Sequence, residues 1–309
     1  MNFAAALAVG QTALELGLIC SLTVLALFLS YSMLNVCDLS TDGCFTLGAA
    51  VGAMTAAAGH PLLSIPAAIL AGMCSGFVTA LLQTKMGVDS LLAGIIVNTG
   101  LYSVNIAVMS GSSLVNLNKT DTVFTMMKDL LAGTPLENQY KTVVAAIAVV
   151  LTVAFLTFFL NTRLGLAIRA TGNNPDMVRS SSINPVFTTI VGLCVANAFT
   201  GLSGCLMAQS QKSAEINLGT GMVTIALASL LIGNTLMGRG GIFTRAVGMV
   251  LGAFVFRLVY GVALQLDMMP SFMLRLVSSA IVVLAISLPY LKQQWPMLRR
   301  RLAARKGGV

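Results

Sequence analysis

Nine apolar runs follow one another along the chain, at 14–35, 43–59, 61–83, 89–110, 141–160, 186–209, 219–237, 246–265 and 270–290. About 20 apolar residues in helical form cross the hydrocarbon core of a bilayer. Backbone placed in hydrocarbon must satisfy its own N–H and C=O groups, which leaves helices as the solution for runs of this length. Composition agrees: 57% of the 309 residues are hydrophobic and 9% charged, against about 25% charged in a soluble domain. The runs at 43–59 and 219–237 are short and rich in glycine and threonine, the pattern of broken helices that line a cavity. The expected fold is all-α, a polytopic integral membrane protein of about nine transmembrane helices, two of them short or broken, forming a single transmembrane domain over 1–309.

Positive charge sets the orientation. The stretches 161–185 and 238–245 and the tail 291–309 hold 11 of the 18 basic residues and 1 of the 10 acidic ones. All three are expected in the cytoplasm, with 291–309 a basic cytoplasmic tail. The polar stretch 111–140, one span away from 161–185, is expected outside. Counting back puts the N-terminus outside as well. It carries no basic residue ahead of its first apolar run, so a cleaved signal peptide is not expected. The net charge of +8 is thus topological, and no nucleic-acid partner is expected.

Several chemistries are closed off. One histidine, His60, excludes a multi-histidine metal centre, and no metal ligands or catalytic residues are assigned. No lysine follows a glycine, so the phosphate-cradling G-K-[ST] ending is absent and the chain is expected to bind no nucleotide itself. The six cysteines lack C-x-x-C spacing and read as small hydrophobes without a disulfide framework.

Asp38-Leu-Ser-Thr-Asp-Gly after the first apolar run is echoed by Asn217-Leu-Gly-Thr-Gly after the sixth, 179 residues later. Each precedes one of the short glycine-rich runs. An inverted repeat of the kind found in transporters would produce this; so would chance in apolar sequence of low diversity.

The stretch 165–185 reads GLAIRATGNNPDMVRSSSINP. Leu166, Ala167 and Ala170, then Met177 and Val178, give two short helical patterns separated by the turn chemistry of Gly172-Asn173-Asn174-Pro175. Asn174 can cap the second helix, with Pro175 at its first position. This run, followed by Gly201-Leu-Ser-Gly204 and Ile216-Asn-Leu-Gly-Thr-Gly221, resembles the permease subunits of bacterial ABC importers in the ribose and branched-chain amino-acid superfamily. Within it the likeness is greatest to tryptophan and tyrosine uptake permeases, and it extends to Asp38-Leu-Ser.

The resemblance implies a transmembrane permease domain that performs no covalent chemistry and moves a small solute, an amino acid first and ribose-like sugars or nucleosides next, by alternating access. It implies four partners: a second permease copy, cytoplasmic ABC ATPase subunits that carry ATP and Mg, an extracytoplasmic substrate-binding protein, and membrane lipid. The location implied is the bacterial inner membrane. It makes 163–185 the coupling-helix region, with Arg169, Gly172, Asn173, Asn174, Pro175, Met177 and Arg179 as the residues that meet the ATPase.

For the pathway or gate the candidates are Asp38, Asn98, Asn197, Glu215, Asn217 and Arg257. Arg257 lies near the middle of 246–265, where an unpaired arginine costs at least ~2.5 kcal/mol. It is read either as a site for a substrate carboxylate or a gating pair with Glu215, or as a structural pair. Asn98, Asn105, Asn197, Asn217 and Asn234 punctuate the apolar runs and can line a path or bond between helices. Two other function classes fit some of these features. A secondary carrier or channel also uses broken helices and midplane charge. Gly201-Leu-Ser-Gly204 matches the nucleophile pattern of rhomboid-type proteases, with His60 as a base in principle.

Overall fold

The structure, a computed structural model, describes residues 3–133, 137–238 and 240–265 and the separate positions 279, 280, 282, 283 and 287. In chain order the elements are α1 (Phe3–Leu27, continued by a π-helical turn Phe28–Met33), α2 (Thr41–Ala57), α3 (Pro61–Thr84), α4 (Ser90–Val108), β1 (Leu114–Asn116), α5 (Val123–Leu130), α6 (Tyr140–Asn161), α7 (Arg163–Asn173), α8 (Pro175–Ser180), α9 (Pro185–Gln211), β2 (Ser213–Glu215), α10 (Met222–Met237) and α11 (Ile242–Gln265).

Among the described residues six helices, α1, α3, α4, α6, α9 and α11, are long and apolar enough to cross a membrane. The chain is a multi-pass membrane protein. α2 and α10 have 17 and 16 residues, roughly 24–26 Å at 1.5 Å per residue, and fall short of a hydrocarbon core of about 30 Å. They are the two short runs foreseen from glycine and threonine. Eight of the nine apolar runs coincide with helices; the ninth, 270–290, and the tail 291–309 lie almost wholly outside the described residues.

The chain is not purely helical. Leu114–Asn116 pairs antiparallel with Ser213–Glu215, Leu114 opposite Glu215 and Asn116 opposite Ser213. This ribbon and α5 occupy one end of the bundle. α5 starts at a capping box in which Thr122 and Thr125 bond to each other's backbone, and it buries Phe124.

The opposite end carries α7 and α8. Gln11, near the start of α1, donates to the carbonyl of Asn138 at the ribbon end. Gly172 of α7 lies against the backbone of Met33 and Leu34, where α1 finishes. α1 therefore runs from the ribbon end to the α7–α8 end, and α9 runs back.

α2 does not start at an end of the bundle. After Asn35, at φ 57°, residues 34–40 turn back inside and release α2 beside the middle of α9. The Cys44 thiol donates to the Asn197 carbonyl there, and Gly52 faces Cys205 further along. α2 continues to the ribbon end. Residues 212–221 make the opposite excursion, with Lys212 and Gly221 both at positive φ. They release α10 beside Asp42, and α10 leads to α11, whose Arg245 donates to Ser32 and stacks over Phe28. The two short helices start together at mid-depth and run opposite ways. Their meeting residues, Asp42 and Gly221, are 179 apart, the offset of the sequence echo, and the two short helices stand to each other as an inverted repeat would place them.

The halves also interlock. α9 packs between α2 and α3 of the first half, while α1 packs against α11 of the second. A Cβ at Gly48 would enter the Gly201 carbonyl and one at Gly204 the Phe45 carbonyl, so α2 and α9 meet backbone to backbone.

Candidate functional site

Two places gather the polar and charged residues singled out by the sequence. The first is the α7–α8 hairpin. Thr162 caps α7 by accepting from Gly165 N–H. Asn174 accepts from the N–H groups of Asp176 and Met177 at 3.1 Å each, with Pro175 at the first position of α8. The hairpin is fixed from within: Ile168 and Val178 are buried, and Thr171 shares a hydrogen bond with Thr188 of α9 at 2.8 Å. Gly172 faces the end of α1, so it positions the hairpin rather than presenting a side chain. Outward stand Leu164, Leu166, Met177 (59% exposed) and Phe187, with Asn173 exposed and Arg169 half-buried beside them. Arg179 pairs with Asp176 at 3.3 Å, both exposed. An apolar patch rimmed by arginines and held rigidly to the ends of two spans is a docking surface in chemistry.

The second place is where α2 and α10 begin. Asp38 is 2% exposed, yet among the described residues its partners are neutral. Its Oδ2 accepts from Asn197 Nδ2 at 2.7 Å, and its Oδ1 accepts from the Ser40 N–H at 2.8 Å and hydroxyl at 2.6 Å. Thr79 of α3 donates to Ser40 Oγ in turn. Asp38 and Asn197 thus pin residues 34–40 to α9 and α3.

One turn on, Asp42 accepts from Gly221 N–H at 2.9 Å and Val223 N–H at 2.8 Å, and Thr46 accepts from Gly219 N–H at 3.1 Å. The carboxylate of one half therefore caps the short helix of the other, charge against the positive end of a helix dipole. Beside this junction lies a cavity of about 310 Å³, with Asp42 and Thr46 on one wall, Asn98, Tyr102 and Asn105 of α4 on another, and Asn217 and Thr220 on the third. Asn98 and Asn217 are brought together here. Asn105, another of the asparagines that punctuate the apolar runs, joins them, whereas Asp42, Thr46 and Tyr102 were not singled out as pathway residues, although Asp42 stands inside the repeated motif at the place of Gly221. A larger hollow of about 490 Å³ between α3, α6 and α9 has almost wholly apolar walls and suits hydrocarbon, not a polar solute.

A family model described as branched-chain amino acid transport system, permease component, matches residues 11–286. The chain belongs to this permease family. Relatives of the permease include the tyrosine transport system permease protein of Clostridioides difficile, 31% identical over 86% of each chain. An uncharacterized protein of Rickettsia prowazekii is 30% identical over 82% of this chain and 87% of its own. The ribose import permease protein of Escherichia coli is 27% identical over 83% of this chain and 78% of its own. No solved structure matches the permease at a significant level.

Two pathway candidates fall elsewhere in the permease. Glu215 is exposed on the ribbon, away from Arg257, whose guanidinium donates to Cys20 of α1 at 2.9 Å. The gating pair expected between them is not formed; Arg179–Asp176 is the ion pair seen among the described residues. The reason is topological, since Glu215 precedes the return of the chain into the bundle. Ser203 is fully buried and donates to the Ile19 carbonyl at 2.7 Å, while His60 is exposed at the start of α3. With its proton committed to α1, Ser203 is not set up as a nucleophile.

Proposed function

We propose that the chain is one half of the membrane channel of an ABC importer that carries an amino acid into the cytoplasm. The observation that carries this reading is the α7–α8 hairpin, outwardly apolar and basic, inwardly locked to α1 and α9. A partner that moves this patch moves the spans. The basic end is cytoplasmic by the positive-inside rule, so the ribbon and the start of α1 are extracytoplasmic, and the membrane is the bacterial inner membrane. On this reading Leu166, Met177, Arg169 and Arg179 meet the ATPase, which holds the ATP and Mg. A substrate-binding protein delivers solute at the ribbon end. The polar cavity, at mid-depth between the two halves, lies on the solute path, with Asn98 and Asn217 in its walls. The tyrosine relative supports an amino acid as solute; the ribose relative makes a sugar the next class to try.

The test is uptake into vesicles that contain the permease, its ATPase and its binding protein, measured with tyrosine, leucine and ribose. ATP-dependent accumulation of an amino acid, absent without the ATPase, supports the reading. Accumulation that persists without ATPase and ATP overturns it.

A further inference from the structure

The polar cavity beside the start of α10 is chemically one-sided. Its walls hold one formal charge, the Asp42 carboxylate, and no lysine, arginine or histidine lines it. Asp38, one turn earlier, is 2% exposed. Both carboxylates are bonded by neutral donors: Asp42 by the N–H groups of Gly221 and Val223, Asp38 by Asn197 and Ser40. Among the described residues neither forms an ion pair. Negative charge withdrawn from water is costly until a cation stands beside it.

A second feature of the wall calls for a donor. Asn105 of α4 is 1% exposed, and its Nδ2 donates to the Gly43 carbonyl at 3.2 Å, which settles the orientation of the amide. Its Oδ1 is buried and has no partner. Because Gly43 follows Asp42 in α2, the same bond places this orphan acceptor beside the turn that carries the carboxylate. A buried acceptor left unpaired is destabilising.

Charge and orphan acceptor together define the group that completes the site, a cation that donates N–H bonds. A sugar hydroxyl would meet Asn105 and leave the charge of Asp42 unbalanced. A metal ion is not served either. Asp42 is the single carboxylate in the wall, and no group of three His, Cys, Asp or Glu side chains that could hold a metal gathers among the described residues. The cavity volume of about 310 Å³ is at the low end for small-molecule pockets and suits a compact solute.

We infer that the cavity recognises the protonated amino group of the solute, with Asp42 as its counter-charge and Asn105 Oδ1 as one of its hydrogen-bond acceptors. The amides of Asn98 and Asn217 and the hydroxyls of Tyr102 and Thr220 donate as well as accept, so they can hold the other polar end of an amino acid. The inference deepens the importer reading and rests on it for the identity of the solute; recognition of an amine by these walls does not depend on transport.

The experiment measures binding of tritiated tyramine to the full-length permease in lipid nanodiscs, without ATPase, ATP or binding protein and with empty nanodiscs subtracted. The competitors are unlabelled tyramine, N-acetyltyramine, which has the same ring and a neutral amide for the amine, and ribose. Hydrogen bonds to charged groups are the strong ones, so N-acetyltyramine is expected to compete roughly ten- to hundred-fold more weakly than tyramine, and ribose no better. Asn105→Asp places a second carboxylate where Oδ1 stands and should tighten tyramine binding severalfold, a gain that a misfolded variant does not produce. Tyramine held in the apolar hollow between α3, α6 and α9 would not respond to it. Absence of saturable tyramine binding overturns the inference, as does equal competition by N-acetyltyramine or ribose; these comparisons use the unaltered protein. Unchanged or weakened tyramine binding by monodisperse Asn105→Asp protein also overturns it. Failed uptake with amine binding intact sinks the transport reading alone, and failed amine binding beside ATP-driven amino-acid uptake sinks this inference alone.

Discussion

Asp42 is the residue through which one half of the molecule holds the other, and its removal has a size that follows from its contacts. Asp42→Ala orphans the N–H groups of Gly221 and Val223, now bonded at 2.9 and 2.8 Å. Each buried donor left unpaired costs about 1–3 kcal/mol, and loss of the charge at the start of α10 costs roughly 0.3–2 kcal/mol more. The total is about 2–8 kcal/mol. Asp42→Asn keeps one acceptor and loses the charge, for roughly 1–5 kcal/mol by the same terms. At roughly 2–4 °C per kcal/mol for chains of 150–250 residues, the alanine variant should lose roughly 4–30 °C of thermal midpoint and the asparagine variant about half that. The assay is the fraction of purified permease that stays monodisperse in detergent after heating. The order wild type, Asn, Ala is expected, together with reduced uptake. An alanine variant with the wild-type midpoint would show that α10 is held by something other than this carboxylate, and the account of the junction would fall.

Met177→Asp should leave the fold intact, because the side chain is 59% exposed, but should abolish co-purification with the ATPase or the dependence of uptake on ATP; a secondary carrier would transport as before. In Arg257→Gln the shorter side chain gives up the bond to Cys20, so a structural role predicts a protein of lowered thermal midpoint that retains uptake, whereas full stability without uptake would make Arg257 part of the path. Cysteines at Asn173 should react only with membrane-permeant reagents and cysteines at Lys119 with impermeant ones. Lys119 is exposed where nearby Thr122 is fully buried, and labelling of Asn173 from outside would reverse the proposed orientation.

What the sequence made legible was what depends on local chemistry. Eight apolar runs became helices because hydropathy alone dictates them, and the Asn174–Pro175 cap of α8 forms where turn residues demand it. The echo between Asp38 and Asn217 located both re-entrant segments. The cavity was harder to read. Asp42 and Thr46 look like ordinary polar interruptions of helices until the chain folds back and brings residues 179 apart into contact. Glu215 misled for the same reason: its charge suited Arg257, but charge does not tell which end of the bundle a residue occupies. The ribbon was invisible because two three-residue strands carry no periodicity.

The interlocked packing of the halves limits how the molecule can change shape. If α9 sits inside the first half and α1 beside the second, the two halves of the chain are not separable bodies and cannot swing against each other. The units free to shift are instead the mixed clusters, α2 with α3 and α9 on one side, α1 with α10 and α11 on the other. The backbone-to-backbone contact of α2 and α9 leaves no side chains to repack, which makes the first cluster stiff. The chain crosses between the clusters at 34–40 and at 212–221, and both crossings reach the same junction. Motion started at the α7–α8 end therefore reaches the second cluster by two routes, the packing of α1 on α9 and the few hydrogen bonds between Asp42, Thr46 and the start of α10, beside which the cavity lies.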